Sequence, residues 1–202
     1  MNYPFHREFA IDLESDQFLQ KVIWYSQNHE NFALYVTDEA EFTLYAGARR
    51  VIKIEQTQGA FRRLKSFQEA SDREICGFLG YDLKNDLEEL ASTNQSTLQE
   101  AETAFFEADL KIEYNERTAR VSSAFAAILQ VQPHFDQKPI KGEPQSEVRE
   151  EEYLQTAHSL QNHIQRGDIY EANYCIEFSM DVPDLNPYAG FFSFWNKTRA
   201  PF

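Results

Sequence analysis

FALYVTDEAEFTLYAGARRVIKIE, residues 32 to 55, decides the fold class. Phe32–Asp38 and Phe42–Glu55 are rich in aromatic and β-branched residues and read as two strands. The short acidic link Glu39-Ala40-Glu41 predicts that they form a hairpin. Upstream, Asp16 to Gln27 carries Phe18, Leu19, Val22, Ile23 and Tyr25 at the spacing of an amphipathic helix. Downstream, Ala60 to Ala70 places Phe61, Leu64 and Phe67 on one side of a second helix and leaves Arg62, Arg63 and Lys65 exposed.

Further out, Ile75–Leu83 is apolar and punctuated by glycine, which predicts a buried strand in close contact with its neighbours. KNDLEEL, residues 84–90, reads as helix and Ala91–Glu102 as surface loop. A second hairpin is expected from Phe105–Asn115 and Ala119–Gln130, turning at Asn115-Glu116-Arg117; the Ala-rich AFAAIL within it reads equally as helix. Gln132–Gln145, with three prolines, a glycine and several charges, is a linker. Beyond it Glu147–Arg166 places Tyr153, Ala157, Leu160 and Ile164 on one helical face. Glu147, Glu150, Glu151 and Glu152 favour its positive N-terminal end, and Gly167 suits its C-terminal stop. Ile169–Met180 follows as a strand and Pro187–Lys197 as a helix. The organisation expected is a subdomain over 1–131, a linker over 132–145 and the start of another domain over 146–202.

The 33 acidic residues outnumber the 19 basic ones, for a net charge of −14. That balance argues against nucleic-acid binding, which requires phosphate neutralisation by Lys and Arg, and against a polybasic membrane surface. It leaves open a small anionic ligand held by a local cluster of donors. Cys76 and Cys175 stand far apart in apolar surroundings and read as small buried hydrophobes; no Cys/His spacing suggests a metal. The first residues show no basic-then-apolar leader and no stretch is long enough to span a membrane, so a cytoplasmic location is expected. On that expectation the sequons at Asn94 and Asn196 are chance matches.

Local physics explains only Gly167 and Asp168 of RGDIYEANYCIEFS, residues 166–179. The whole run resembles a signature of chorismate-utilising enzymes, a helix ending in I-x-x-G-D-I followed by Tyr or Phe, Gln, x and Asn. Ile164, Gly167, Asp168, Ile169, Tyr170 and Asn173 match it, and Glu171 stands where the family usually has Gln. GFLGYDLKNDLE, residues 77–88, resembles the family's G-x-x-G-Y-[DE]-L segment in the form common in the aminodeoxychorismate branch. NPYAGFFSFWNKTRAPF resembles a segment that carries Asn, here Asn196, upstream of a closing [AS]-P-[FY], and FTLYAGA resembles Y-S-x-x-G-A with Thr43 for Ser and one extra residue before Gly47.

The resemblance implies an α+β fold in which antiparallel sheets form a β-sandwich with outer helices, here incomplete. It implies the N-terminal portion of a component I that aminates chorismate for p-aminobenzoate and folate synthesis, with ammonia from a separate glutaminase subunit. Mg2+ would be held by Glu residues, and the catalytic groups would lie in segments after the A-P-F motif, so no catalytic residue is assigned. KPIKG, residues 138–142, resembles the family's catalytic-lysine motif but precedes the G-D-I segment instead of following it; Lys141 therefore reads as a solvated linker residue. Family members also bind tryptophan, which points by motif to Thr37, Phe42, Thr43, Leu44, Tyr45, Pro201 and Phe202; the same hairpin face reads equally as plain core. Anthranilate and isochorismate synthases, and a non-catalytic small-molecule module, remain alternatives.

Overall fold

A computed structural model of the chain describes residues 7–38, 40–88, 90, 101–121, 125–135 and 142–199. It divides into two compact units, residues 1–134 with 194–202, and residues 135–193.

The first unit is built on an antiparallel six-stranded sheet. Its strands are β1 (Arg7–Ala10), β2 (Phe32–Asp38), β3 (Glu41–Ile54), β4 (Ile75–Leu79), β5 (Thr103–Asn115) and β6 (Thr118–Val121). The order is β1-β6-β5-β3-β2, with β4 also paired to β5. The β2–β3 hairpin matches the sequence reading to within a residue. Alternation along β3 turns Phe42, Leu44 and Ala46 to one face, where all three are buried. Register places them opposite Tyr114, Ile112 and Leu110 of β5.

Helix α1 (Ser15–Ser26) brings Phe18, Leu19, Val22 and Ile23 into the core. The Phe18 ring centroid lies 5.8 Å from that of Phe42 and 5.1 Å from that of Tyr114, and Phe42 stacks on Tyr114 at 5.0 Å. Full burial of each such side chain stabilises by roughly 1.5–3 kcal/mol. The ammonium of Lys21 on α1 donates to the carbonyls of Leu129 and Val131, at the end of α3 (Phe125–Gln130).

Two local irregularities mark this sheet. Gly47 takes φ +71°, and the β3–β5 register shifts by a residue between Ala48 and Arg50, a bulge that increases the local twist. Glu116 and Arg117, φ +43° and +78°, close the β5–β6 hairpin with two left-handed residues, the turn whose twist matches that of its strands. Beyond the bulge Ile54, Ala60 and Leu83 pack with Phe61 and Leu64 of α2 (Ala60–Glu69). Asp86 accepts from Gly59 N at 2.5 Å and Phe61 N at 3.0 Å, so a distant carboxylate caps α2.

Several expectations are corrected. The strand at residue 75 stops at Leu79, and of the described residues of KNDLEEL only Lys84–Asp86 are helical, as the end of a 3-10 helix over Tyr81–Asp86. Asp86 is drawn to the α2 terminus instead. Among the described residues the second hairpin keeps Thr118–Val121 of its return strand, and AFAAIL takes the helical alternative from Phe125. Residues 91–100 of the expected surface loop and 136–141 of the expected linker, including Lys141, lie outside the described residues.

In the second unit, α4 (Glu150–Arg166) starts three residues later than expected and has no buried residue. The strand expected over Ile169–Met180 shrinks to β8 (Phe178–Ser179), paired with β7 (Gln145–Ser146). Asn186 Oδ1 caps α5 (Pro187–Thr198), accepting from the amides of Tyr188 and Ala189 at 3.1 Å, with Pro187 at the first helical position. The two-stranded ladder is the second sheet among the described residues, so the architecture is α+β with one large antiparallel sheet.

Candidate functional site

The hairpin residues singled out by sequence are divided by the period of the strand. Phe42 and Leu44 turn into the core, whereas Thr43 and Tyr45, half-buried, face the other side of the sheet. Thr37 is exposed at the end of β2, its hydroxyl donating to the Glu41 carbonyl at 3.4 Å. Pro201 and Phe202 lie outside the described residues. Phe42 and Thr43 also line an open groove of about 540 Å3 with Glu8, Glu41, Glu113 and Arg120. Arg120 is already engaged with Glu8 at 3.2 Å. A groove so rich in carboxylates favours a cationic group over a free dianion.

A polar network that the sequence reading missed occupies the side of the sheet shared by Thr43 and Tyr45. Lys111 of β5 lies directly across from Tyr45, and its ammonium contacts Glu74 at 2.7 Å and Glu113 at 2.6 Å. The Tyr45 hydroxyl donates to the same Glu74 oxygen at 2.7 Å, and the Lys111 ammonium sits 5.4 Å from the Tyr45 ring centroid. Burial alone would pull the Lys111 amine down, but its bonds to Glu113 and Glu74 and their charges outweigh it and raise it above its ordinary value. Tyr35 meets Tyr45 edge-on at 6.1 Å, and burial raises its phenol. The Cys76 thiol is pushed up to about 12, first by burial and then by the charge of Glu74, which leaves it a neutral, unreactive hydrophobe. Cys175, by contrast, is exposed, against the sequence expectation that it is buried, because the strand expected around it does not form. The one available signal for the network was Lys111 between Leu110 and Ile112, a charge on the alternate face of a half-buried strand.

At the end of α4, Gly167 takes φ +80°. Its amide donates to the Ile164 carbonyl at 3.0 Å, and the Asp168 amide donates to that of His163 at 2.9 Å. This is the paired C-terminal closure that a left-handed glycine permits. The Asp168 carboxylate then meets His163 Nδ1 at 2.7 Å and Arg166 at 2.9 Å. Tyr170 is 94% exposed, and Glu171 and Asn173 are exposed beside it. Gly167 and Asp168 thus build a rigid turn, from which the rest of the motif projects into solvent.

Residues 19–202 match the family described as chorismate binding enzyme. The chain belongs to the chorismate-binding enzyme family. No individual curated protein matches it.

Within this chorismate-binding chain, the glycines of GFLGYDL have a steric cause. A Cβ at Gly77 would stand 1.9 Å from the Ala104 carbonyl oxygen, and one at Gly80 would stand 2.4 Å from that of Glu102. Only glycine allows β4 to approach β5 so closely. As to the magnesium implied by the resemblance, among the described residues no cluster of three or more His, Cys, Asp or Glu is placed to hold a metal. Among the described residues no helix is long and apolar enough to cross a membrane.

Proposed function

We propose that this chorismate-utilising chain is the N-terminal, supporting portion of an aminodeoxychorismate synthase component I. The observation that carries the reading is GFLGYDLKNDLE in its aminodeoxychorismate-branch form, within a family match over residues 19–202. In that reaction chorismate loses a ring hydroxyl and gains an amine from ammonia, releasing water. The leaving oxygen requires a proton from a general acid, and the anionic ring requires charge neutralisation, which Mg2+ supplies when bound. These groups are assigned to chain that follows the A-P-F segment, and ammonia to a glutaminase partner, in a cytoplasmic setting.

The exposed apolar side chains of the second unit support a portion that further polypeptide covers. Leu154, Ile164, Ile169, Tyr170 and Phe178 are all more than a third exposed. Full-length protein incubated with chorismate, magnesium and ammonia should yield a product in which amine replaces hydroxyl with the enolpyruvyl group retained, identified by mass. An aromatic amine with loss of pyruvate would assign the anthranilate branch, and an isomer of chorismate the isochorismate branch.

A tryptophan site belongs to the same proposal, restricted by strand alternation. Phe42 and Leu44 pack into the core, so Thr37, Thr43 and Tyr45 are the hairpin groups left to meet a ligand together with Pro201 and Phe202. Hydroxyls beside an aromatic ring suit an amino acid with an indole side chain. Calorimetry on the full-length protein should show heat with tryptophan; its absence removes this site.

A further inference from the structure

Asp16 lies in the first turn of α1, and Arg199 follows the last residue of α5, 183 positions along the chain. The two guanidinium amines of Arg199 donate to the two carboxylate oxygens of Asp16, each at 2.8 Å. Such parallel bonds fix orientation as well as distance. The same guanidinium sits 5.3 Å from the ring centroid of Trp195, which is 4% exposed. The Arg199 amide donates to the Trp195 carbonyl at 2.9 Å. Arg199 also takes φ +48°, a left-handed conformation that a side chain with a Cβ disfavours. A residue stays in such a conformation when surrounding contacts over-determine it.

We infer that the Asp16–Arg199 pair is a lock, which holds the last turn of α5, a part of the first unit, on the start of α1. The neighbouring charges are engaged elsewhere or face water. Glu14 pairs with Arg117 at 3.0 Å, Lys21 is bound by carbonyls at the end of α3, and Lys197 is exposed. Bonds from Arg199 hold the Asp16 carboxyl below its ordinary value against the opposing effect of burial, with the Arg199 charge and Trp195 adding to the lowering. A lowered carboxyl contributes stability that is present above its unfolded value and lost as pH falls through the folded one. The lock is therefore closed at neutral pH and opens only in acid.

Hydrogen exchange on the full chain tests it. Asp16→Asn should raise exchange roughly tenfold in peptides covering residues 194–199 while β3 and β5 keep their protection, the scale set by losing charge-assisted bonds. The charge swap Asp16→Arg with Arg199→Asp should restore protection, since Asp tolerates the left-handed region better than most residues. If Asp16→Asn does not fold, Arg199→Gly takes its place: it removes the fork and the backbone cost together, so a loosened last turn again supports the lock. Unchanged protection in the single variant, or no recovery in the swap, overturns it.

Discussion

β3 and the segment Ile169–Met180 have similar sequences and different fates. Both are rich in Tyr, Phe and Ile, and both read as strands. β3 runs for fourteen residues because β2 and β5 satisfy its backbone on either side. Ile169–Glu177 takes no regular strand, and only Phe178–Ser179 finds a partner, in a ladder two residues long. Strand propensity describes how a side chain fits a pleated, half-buried surface; without a neighbour to supply that surface it specifies nothing. The first region carries the core, whereas the second carries the family motif on an exposed stretch of chain.

The largest expected effect tests that division. Leu44→Ala removes a fully buried side chain between α1 and the sheet and should cost about 2–5 kcal/mol by chemical denaturation. Phe178→Ala removes a larger side chain that is 61% exposed and should change stability by less than about 0.5 kcal/mol. Equal losses would break the comparison and mean that the second region is packed as tightly as the first.

Glycine substitutions sharpen it further. Gly77→Ala forces a Cβ into backbone atoms of β5, which cannot yield as a flexible side chain would, and should cost about 1–3 kcal/mol, the range for overpacking. Gly167→Ala meets nothing within 4 Å, so only its left-handed backbone resists, at about 1–2 kcal/mol. Filling the space beside β4 should also weaken the β4–β5 ladder in hydrogen exchange, whereas the change at Gly167 should loosen only the end of α4.

Much of the first unit was legible in the sequence because its signals are local. α1, α2, β2 and β3 each carry a full period of apolar residues, and in the second unit Gly167 announced the end of α4. What was missed depends on tertiary contact. Asp86 caps α2 from outside that helix, and β6 ends at Val121, short of the long return strand expected. The Lys111 network joins β3 and β5 to Glu74, beside the start of β4, through a register that no spacing reveals. The site fared similarly: contiguous hairpin residues were grouped together, and alternation split them between two faces.

Lys111→Met should cost on the order of 1–2 kcal/mol. That is less than the ~3–5 kcal/mol for breaking a fully buried pair, because Glu74 and Glu113 retain access to water. Because the Lys111 amine is raised in the folded chain, its contribution is complete below the unfolded lysine value. It is lost as pH rises through the higher folded value. Denaturation midpoints of the parent should therefore fall in strong alkali, and those of the variant should lack this component.

The smallest expected change in stability is at Tyr170. With 94% of its surface in water, it has almost no burial to lose, and Tyr170→Ser should leave the denaturation midpoint unchanged. Gly167 and Asp168 hold their turn through bonds that do not involve it. A family-motif residue without a structural duty in this unit is useful for that reason. If the full-length enzyme carrying Tyr170→Ser loses turnover with its midpoint intact, the motif acts through a substrate or a covering segment. If turnover and midpoint are both unchanged, the tyrosine has no duty in either, and the motif reduces to the Gly167–Asp168 turn.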